Sequence, residues 1–274
     1  MSVVSVSTAS HLPGQDLLPL LAAKLGYAQV DAACLEDVAR RFKVDVDKLG
    51  AALGAPKVWQ RQNPKLRSRL LAYVKAVLLE RLETDRVVSA GLAAHLFVRG
   101  VSHMCKVRLI ADTEDRAQVL AQAQGLSQTK ALARLEAEDL SRRQWSLDVF
   151  GEDESAAGLY DLVINLSRVE PKQAVRMIAE TAASRKFQPM TFSQDLLRDH
   201  ALASRVRAEL LELDPEVRVN AGKGRVQVQT IAVKRQQEKR VQAMRALVQG
   251  VPGVADLEVQ VLPDLIGQAA DTMR

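Results

Sequence analysis

The sequence predicts an α/β protein, a parallel sheet flanked by helices, followed by a small α+β unit of order αββαβ. Three observations carry this reading. Over residues 1–183, short apolar runs bounded by charge or glycine alternate with stretches of helical periodicity. Over 196–262 the order changes, and Val226-Gln227-Val228-Gln229-Thr230-Ile231 alternates strictly, as a strand with one wet face does. Between them, 184–195 has little periodicity, one proline and two phenylalanines, and reads as a linker.

Val3, Val4 and Val6 form a short buried strand, broken at His11-Leu12-Pro13-Gly14. Leu17, Leu18, Leu20, Leu21 and Leu25 then recur with helical spacing, and Gly26 takes the helix-ending position that favours glycine. Tyr27 to Val30 is a short strand; Leu35 to Phe42 and Val44 to Leu53 are short helices. Gly54 to Pro64 is a loop holding Trp59. Leu66 to Leu82 is a long helix with Leu70, Leu71, Val74, Val77, Leu78 and Leu82 on its apolar stripe.

Arg86 to Ala90 and Val107 to Ala111 are apolar without alternation, as strands covered on both faces are. Gly91 to Val98 is a helix between them. Thr113-Glu114-Asp115 starts another helix, and Gln128 to Arg143 is a longer one. Tyr160 to Asn165 is the last strand of this half, followed by a helix from Pro171 to about Ala183. The second unit reads as helix Leu196 to Leu213, strand Val217 to Val219, turn Ala221 to Gly224, strand Val226 to Val233, helix Lys234 to Val248 and strand Leu257 to Val261. Residues 263–274 are a frayed tail.

The 274 residues suit one large domain or two, and 47% hydrophobic content fills a core. The formal charge of +5 is spread over both halves, so neither is a nucleic-acid module. Cys34 and Cys105 show no metal or redox spacing, which predicts a disulfide-free cytoplasmic protein. The four histidines have no i,i+4 pairing, so His103 beside Cys105 is read as structural. No apolar run reaches a membrane span, and no signal peptide is expected.

A strand, tight loop and helix at the start of an α/β chain is where a phosphate cradle sits, yet G-x-x-x-x-G-K-[ST] is absent. The stretch Lys106-Val107-Arg108-Leu109-Ile110-Ala111, Glu114-Asp115-Arg116, Gly125-Leu126-Ser127, Asp139, Phe150-Gly151 and Leu159 to Asn165 resembles the cytidylate-kinase-like branch of the P-loop nucleoside monophosphate kinases. Leu20 to Tyr27 and Val30-Asp31 fit the same family. Residues 196–262 resemble a BON domain through Val217-Arg218-Val219, Gly224 to Val228 and Val248 to Val254. The resemblances imply a P-loop kinase-like sheet joined to a module that contacts phospholipid or a protein partner.

The kinase resemblance implies a glycine-rich loop ending in a cation. Here Gly14 alone survives, Gln15 stands at the cation's place, Pro13 removes an amide and Leu12 adds a side chain. Asp16 places negative charge at the helix start, which repels phosphate. Leu92 stands where an arginine would hold the monophosphate, and 31–37 lacks the basic residue for the acceptor nucleotide. The lid residues Arg142 and Arg143, and Arg116 on the adenine side, do match. The expectation is a non-catalytic ligand-binding or regulatory scaffold without cofactor, retaining a vestigial nucleotide site at Gly14, Gln15, Arg116, Arg142 and Arg143. One alternative is a CMP kinase using ATP and Mg²⁺; another is a membrane- or assembly-targeting protein acting through its second unit.

Basic residues supply candidate anion or partner contacts. Lys57, Arg61, Lys65, Arg67, Arg69 and Lys75 form a run with no acid between Ala55 and Leu79. Lys223 and Arg225 flank Gly224 on a turn, placed to touch an acidic partner or anionic lipid head groups.

Overall fold

The computed structural model describes residues 2–14, 17–54, 58–232 and 237–263. Gln15, Asp16, Lys57, the expected helix start at Lys234 and the tail beyond 263 lie outside them.

The first half is a five-stranded parallel sheet of order β2-β3-β1-β4-β5. Its strands are β1 (Val3–Thr8), β2 (Ala28–Val30), β3 (Val87–Ala90), β4 (Met104–Ile110) and β5 (Leu162–Asn165). β1 lies at the centre, with Val6 beside Ala90 on one side and Val107 on the other. Val3, Val4, Val6, Val87 and Val88 are almost wholly inaccessible, which explains their unbroken apolar sequence. The helices are α1 (Leu17–Leu25), α2 (Cys34–Phe42), α3 (Val46–Ala52), α4 (Pro64–Leu82), α5 (Ala94–Phe97), α6 (Thr113–Gln124), α7 (Gln128–Phe150) and α8 (Pro171–Ala183).

Local chemistry sets several boundaries. Asn63 caps α4 by accepting from Lys65 N at 2.9 Å, and Pro64 at the first turn gives up an amide that has no helical partner anyway. α7 runs seven residues past the expected Arg143, to Phe150, because Trp145 is driven into the core and Gly151 ends the helix with φ of 69°. α5 is a single turn, preceded by Gly91, Leu92 and Ala93 with φ of 63°, 52° and 54°. Two non-glycine residues in that left-handed region are costly, and the buried Leu92 side chain holds the turn in place.

The second half contains α9 (Thr191–Leu210), β6 (Arg218–Gly222), β7 (Arg225–Ala232), α10 (Gln237–Val248) and β8 (Asp256–Pro263). The expected order αββαβ is present, as a three-stranded sheet β6-β7-β8 with an antiparallel hairpin and a parallel edge. The stretch read as a linker is ordered differently from that expectation. Residues 185–187 form a helical turn with Phe187 buried, and α9 begins at Thr191 with Ser193 buried.

α9 lies along α4, and Leu197, Ala201, Leu202 and Val206 share one core with Leu70, Val74, Val77 and Leu78. This second contact explains why α4 is buried beyond its expected stripe, at Tyr73, Ala76 and Leu79. Burying one such leucine contributes roughly 1.5–3 kcal/mol. Arg205 to Glu83 at 2.7 Å and His103 Nδ1 to Ser193 Oγ at 2.6 Å add polar contacts between the halves.

Candidate functional site: a cleft at the sheet edge

The carboxyl ends of β1, β3 and β4 open into a cleft of about 400 Å³. Parallel α/β sheets place ligand sites at this edge because the connecting loops diverge there. Its walls come from Ser7 to Ser10 at the end of β1, Gly91 to Ala93 after β3, Gly50, Leu53 and Gly54 at the end of α3, and Glu138, Asp139 and Arg142 of α7.

The loop after β1 is folded inward. Leu12 packs on the core cluster of Val4, Val6 and Leu17, and does not line the cleft. A side chain at Gly14, which has φ of 91°, would meet Pro171 at 3.6 Å; this glycine faces α8 and not the cleft. His11 Nε2 bonds Glu138 Oε2 at 2.8 Å, tying the loop to α7. Glu138 also accepts from Arg134, and these partners outweigh burial to lower its carboxyl pKa.

Each of the three expected arginines is engaged by a carboxylate of the chain. Arg116 donates to both oxygens of Asp139 and to the carbonyl and hydroxyl of Ser10. Arg142 donates to Glu154 at 2.7 Å and to the Leu53 carbonyl, and stacks 4.1 Å from the Trp145 ring. Arg143 pairs with Asp153 at 2.7 Å, outside the cleft. Arg142 therefore lines the cleft, while Arg116 buttresses its rim. Trp145 donates to the Ala52 carbonyl at 2.8 Å, so α7 and the end of α3 are locked together.

The cleft also holds residues that sequence reasoning missed. Arg108 on β4 donates to Ser7 Oγ at 2.6 Å and lies 5.9 Å from the Tyr160 ring, and it has no carboxylate ion pair among the described residues. Tyr160 donates to the Glu154 carbonyl at 2.7 Å, which uses its one proton, so His95 Nε2–H is the donor in the 3.0 Å His95–Tyr160 bond. Burial, then Arg108, Arg142 and Lys106, push the His95 pKa down to about 3, and the ring is neutral at physiological pH. Glu154 is buried, and its Oε2 has no partner among the described residues. One signal existed: Ser5, Ser7, Lys106 and Arg108 alternate in otherwise apolar strands, and Ser7 is in register with Arg108.

Among the described residues, three members of the basic run are ion-paired. Lys65 pairs with Glu216, Arg67 with Asp148 and Arg69 with Glu212, while Arg61 is exposed. Trp59 is buried and donates to Ser141 Oγ at 3.0 Å, an anchor for its loop. Lys223 lines a separate hollow with Glu83 and Asp199, and Arg225 pairs with Asp256 across β7 and β8. Cys34 and Cys105 are buried free thiols, and burial pushes the Cys105 pKa up to about 12.

The model of the cytidylate kinase-like family matches residues 3–168, well over half of the chain. The chain belongs to the cytidylate kinase-like family. A cytidylate kinase from Pyrobaculum aerophilum is 32% identical over 105 residues, which cover 38% of this chain and 56% of that relative. The chain thus matches little more than half the length of this relative. An uncharacterized protein from Eubacterium ventriosum shares the fold with a TM-score of 0.50 at 16% identity, over 67% of this chain and 99% of that one. A shikimate kinase from Bacteroides thetaiotaomicron aligns at a TM-score of 0.40 and 13% identity, over 66% and 95% of the two chains.

Leu12 fills the inner side of the loop, Pro13 has no amide proton, and Gly14 faces Pro171. Among the described residues, no helix is long and apolar enough to cross a membrane.

Proposed function

We propose that this protein is a non-catalytic cytidylate kinase-like scaffold. Its sheet-edge cleft binds a ligand without transferring phosphoryl, and its αββαβ unit contacts a protein partner or phospholipid. The observation that carries the reading is the pairing of Arg116, Arg142 and Arg143 with Asp139, Glu154 and Asp153. Phosphoryl transfer needs cations directed at developing negative charge. Here an incoming phosphate competes with carboxylates already in place. Arg108, neutral His95 and Glu154, with its buried unpartnered oxygen, line a cleft suited to a polar ligand that both accepts and donates hydrogen bonds.

The test is a coupled assay with ATP–Mg²⁺ and CMP, dCMP or UMP, run beside calorimetric titration of the same nucleotides. The expected result is no transfer above background. A second reading, an active monophosphate kinase, is favoured by the 32% identity to a cytidylate kinase. Turnover in the ordinary range of roughly 1–100 s⁻¹ that disappears in Arg142→Ala establishes the second reading and rejects the first.

A further inference from the structure

Lys75 of α4 and Arg207 of α9 face two adjoining hollows of about 380 and 340 Å³, which share no lining residue with the sheet-edge cleft. Both residues line both hollows, so they stand between the first half of the chain and the second. Neither makes an ion pair among the described residues. Among the described residues, the Arg207 side chain has one polar contact, a 3.4 Å bond from Nε to the Val217 carbonyl.

Of the surrounding acids, Asp148 lines one hollow and pairs with Arg67, while Asp199 lines the other beside His200, accepts from the Lys223 backbone amide at 2.7 Å and keeps its charge. Ser204 and Asn220 offer neutral hydrogen-bonding groups on the same wall. Burial, then the positive charge of Arg207 and Arg99, lowers the Lys75 pKa, and burial lowers that of Arg207. Two half-buried cations on one wall with no ion pair of their own among the described residues cost free energy that a bound anion returns.

We propose that the groove between α4 and α9 is a binding site for a phosphate-like dianion, held between the Lys75 ammonium and the Arg207 guanidinium. A dianion neutralises both cations at once. The planar guanidinium takes two oxygens and the ammonium a third, a division that suits phosphate geometry. Because its two cations lie on α4 and α9, the bound anion fastens the C-terminal unit to the kinase-like half. The chemistry is shared by free phosphates and the phosphomonoester head group of phosphatidic acid, and the experiment separates them.

The full-length protein is titrated with inorganic phosphate and pyrophosphate, and separately with phosphatidylcholine vesicles containing phosphatidic acid or, as the monoanionic control, phosphatidylglycerol. Thermal unfolding is read with the free anions, and co-sedimentation with the vesicles. Acylation of the Lys75 amine, followed by mass spectrometry of the wild type, needs no variant to fold. If the source is a free phosphate, pyrophosphate raises Tm by roughly 5–10 °C at a hundredfold excess over Kd. It also slows Lys75 acylation about tenfold, and Lys75→Met, Lys75→Gln and Arg207→Met abolish the Tm shift. If the source is a membrane, phosphatidic acid vesicles give the protection, phosphatidylglycerol vesicles do not, and Lys75→Met removes the sedimentation. The proposal is overturned if neither source protects Lys75, or if the response persists in Lys75→Met and Lys75→Gln. It is equally overturned if the response is lost only in Arg108→Ala, which places the anion in the sheet-edge cleft.

Discussion

Arg116 grips Asp139 at two points, Nη1 to Oδ2 at 2.9 Å and Nη2 to Oδ1 at 2.7 Å, while the same guanidinium holds both oxygens of Ser10. One side chain on α6 thereby fixes the loop after β1 against α7. A residue that the family resemblance implies for nucleotide contact here holds the cleft's rim together.

This pairing predicts a stability phenotype. Arg116→Met is expected to cost about 1–3 kcal/mol, because it strands Asp139 and frees the Ser10 loop. The half-exposed Asp139 keeps the value toward the lower end. Arg143→Ala, whose pair with Asp153 is largely exposed on the arginine side, is expected to change stability by less than about 0.5 kcal/mol. Urea unfolding of the two variants checks the contrast, and equal effects would count against it.

Gly54 and Gly50, both at the cleft, are predicted to respond in opposite ways. A Cβ at Gly54, with φ of 90°, would sit 2.7 Å from Trp145 and 2.9 Å from the Arg142 guanidinium. Gly54→Ala is expected to cost ~2–3 kcal/mol through strain and overpacking. Gly50 lies within α3 with nothing within 4 Å of its Cβ position, so Gly50→Ala is expected to stabilise by ~0.5–1 kcal/mol. Paired denaturation curves decide between these signs.

His95 sets a pH dependence. Its folded pKa of about 3 lies below the ordinary 6.5 of the unfolded chain. Above pH 6.5 the ring is neutral in both states. Between 6.5 and about 3 the unfolded state binds a proton that the folded state refuses, so stability falls as pH falls, by about 1.4 kcal/mol per unit for this group. His103 and His200, also lowered chiefly by burial, act with the same sign. His95→Gln is expected to flatten the stability–pH curve between pH 6 and 4 by about one proton. An unchanged slope would refute the assignment.

The core shared by α4 and α9 leads us to expect one cooperative unfolding transition. Leu202→Ala, in α9, is expected to cost about 2–5 kcal/mol. Both tryptophans, Trp59 and Trp145, lie in the other half, so their fluorescence reports whether that loss is transmitted. Fluorescence and circular dichroism midpoints should shift together, and trypsin cleavage near Arg185 or Lys186 should not leave two folded pieces. A fluorescence transition unmoved by Leu202→Ala would show that the halves unfold separately.

The sequence by itself determined the elements and their class. Apolar runs covered on both faces must be inner strands of a parallel sheet, and the strict alternation over 226–231 must be a half-wet strand, since burial follows side-chain period. It also determined what the loop after β1 lacks, because Pro13 has no amide proton wherever the chain runs. Tertiary structure alone decided which charges remain unneutralised. Arg67, Arg69 and Lys65 looked like an uncompensated run, yet Asp148, Glu212 and Glu216 neutralise them from distant segments. Lys75 reads as one more member of that run and is the one that meets Arg207. Hydrophobic period is a local property, set by the geometry of one helix or strand. Ion pairing depends on distance in space, and only the tertiary fold, with α4 packed along α9, brings those charges within reach.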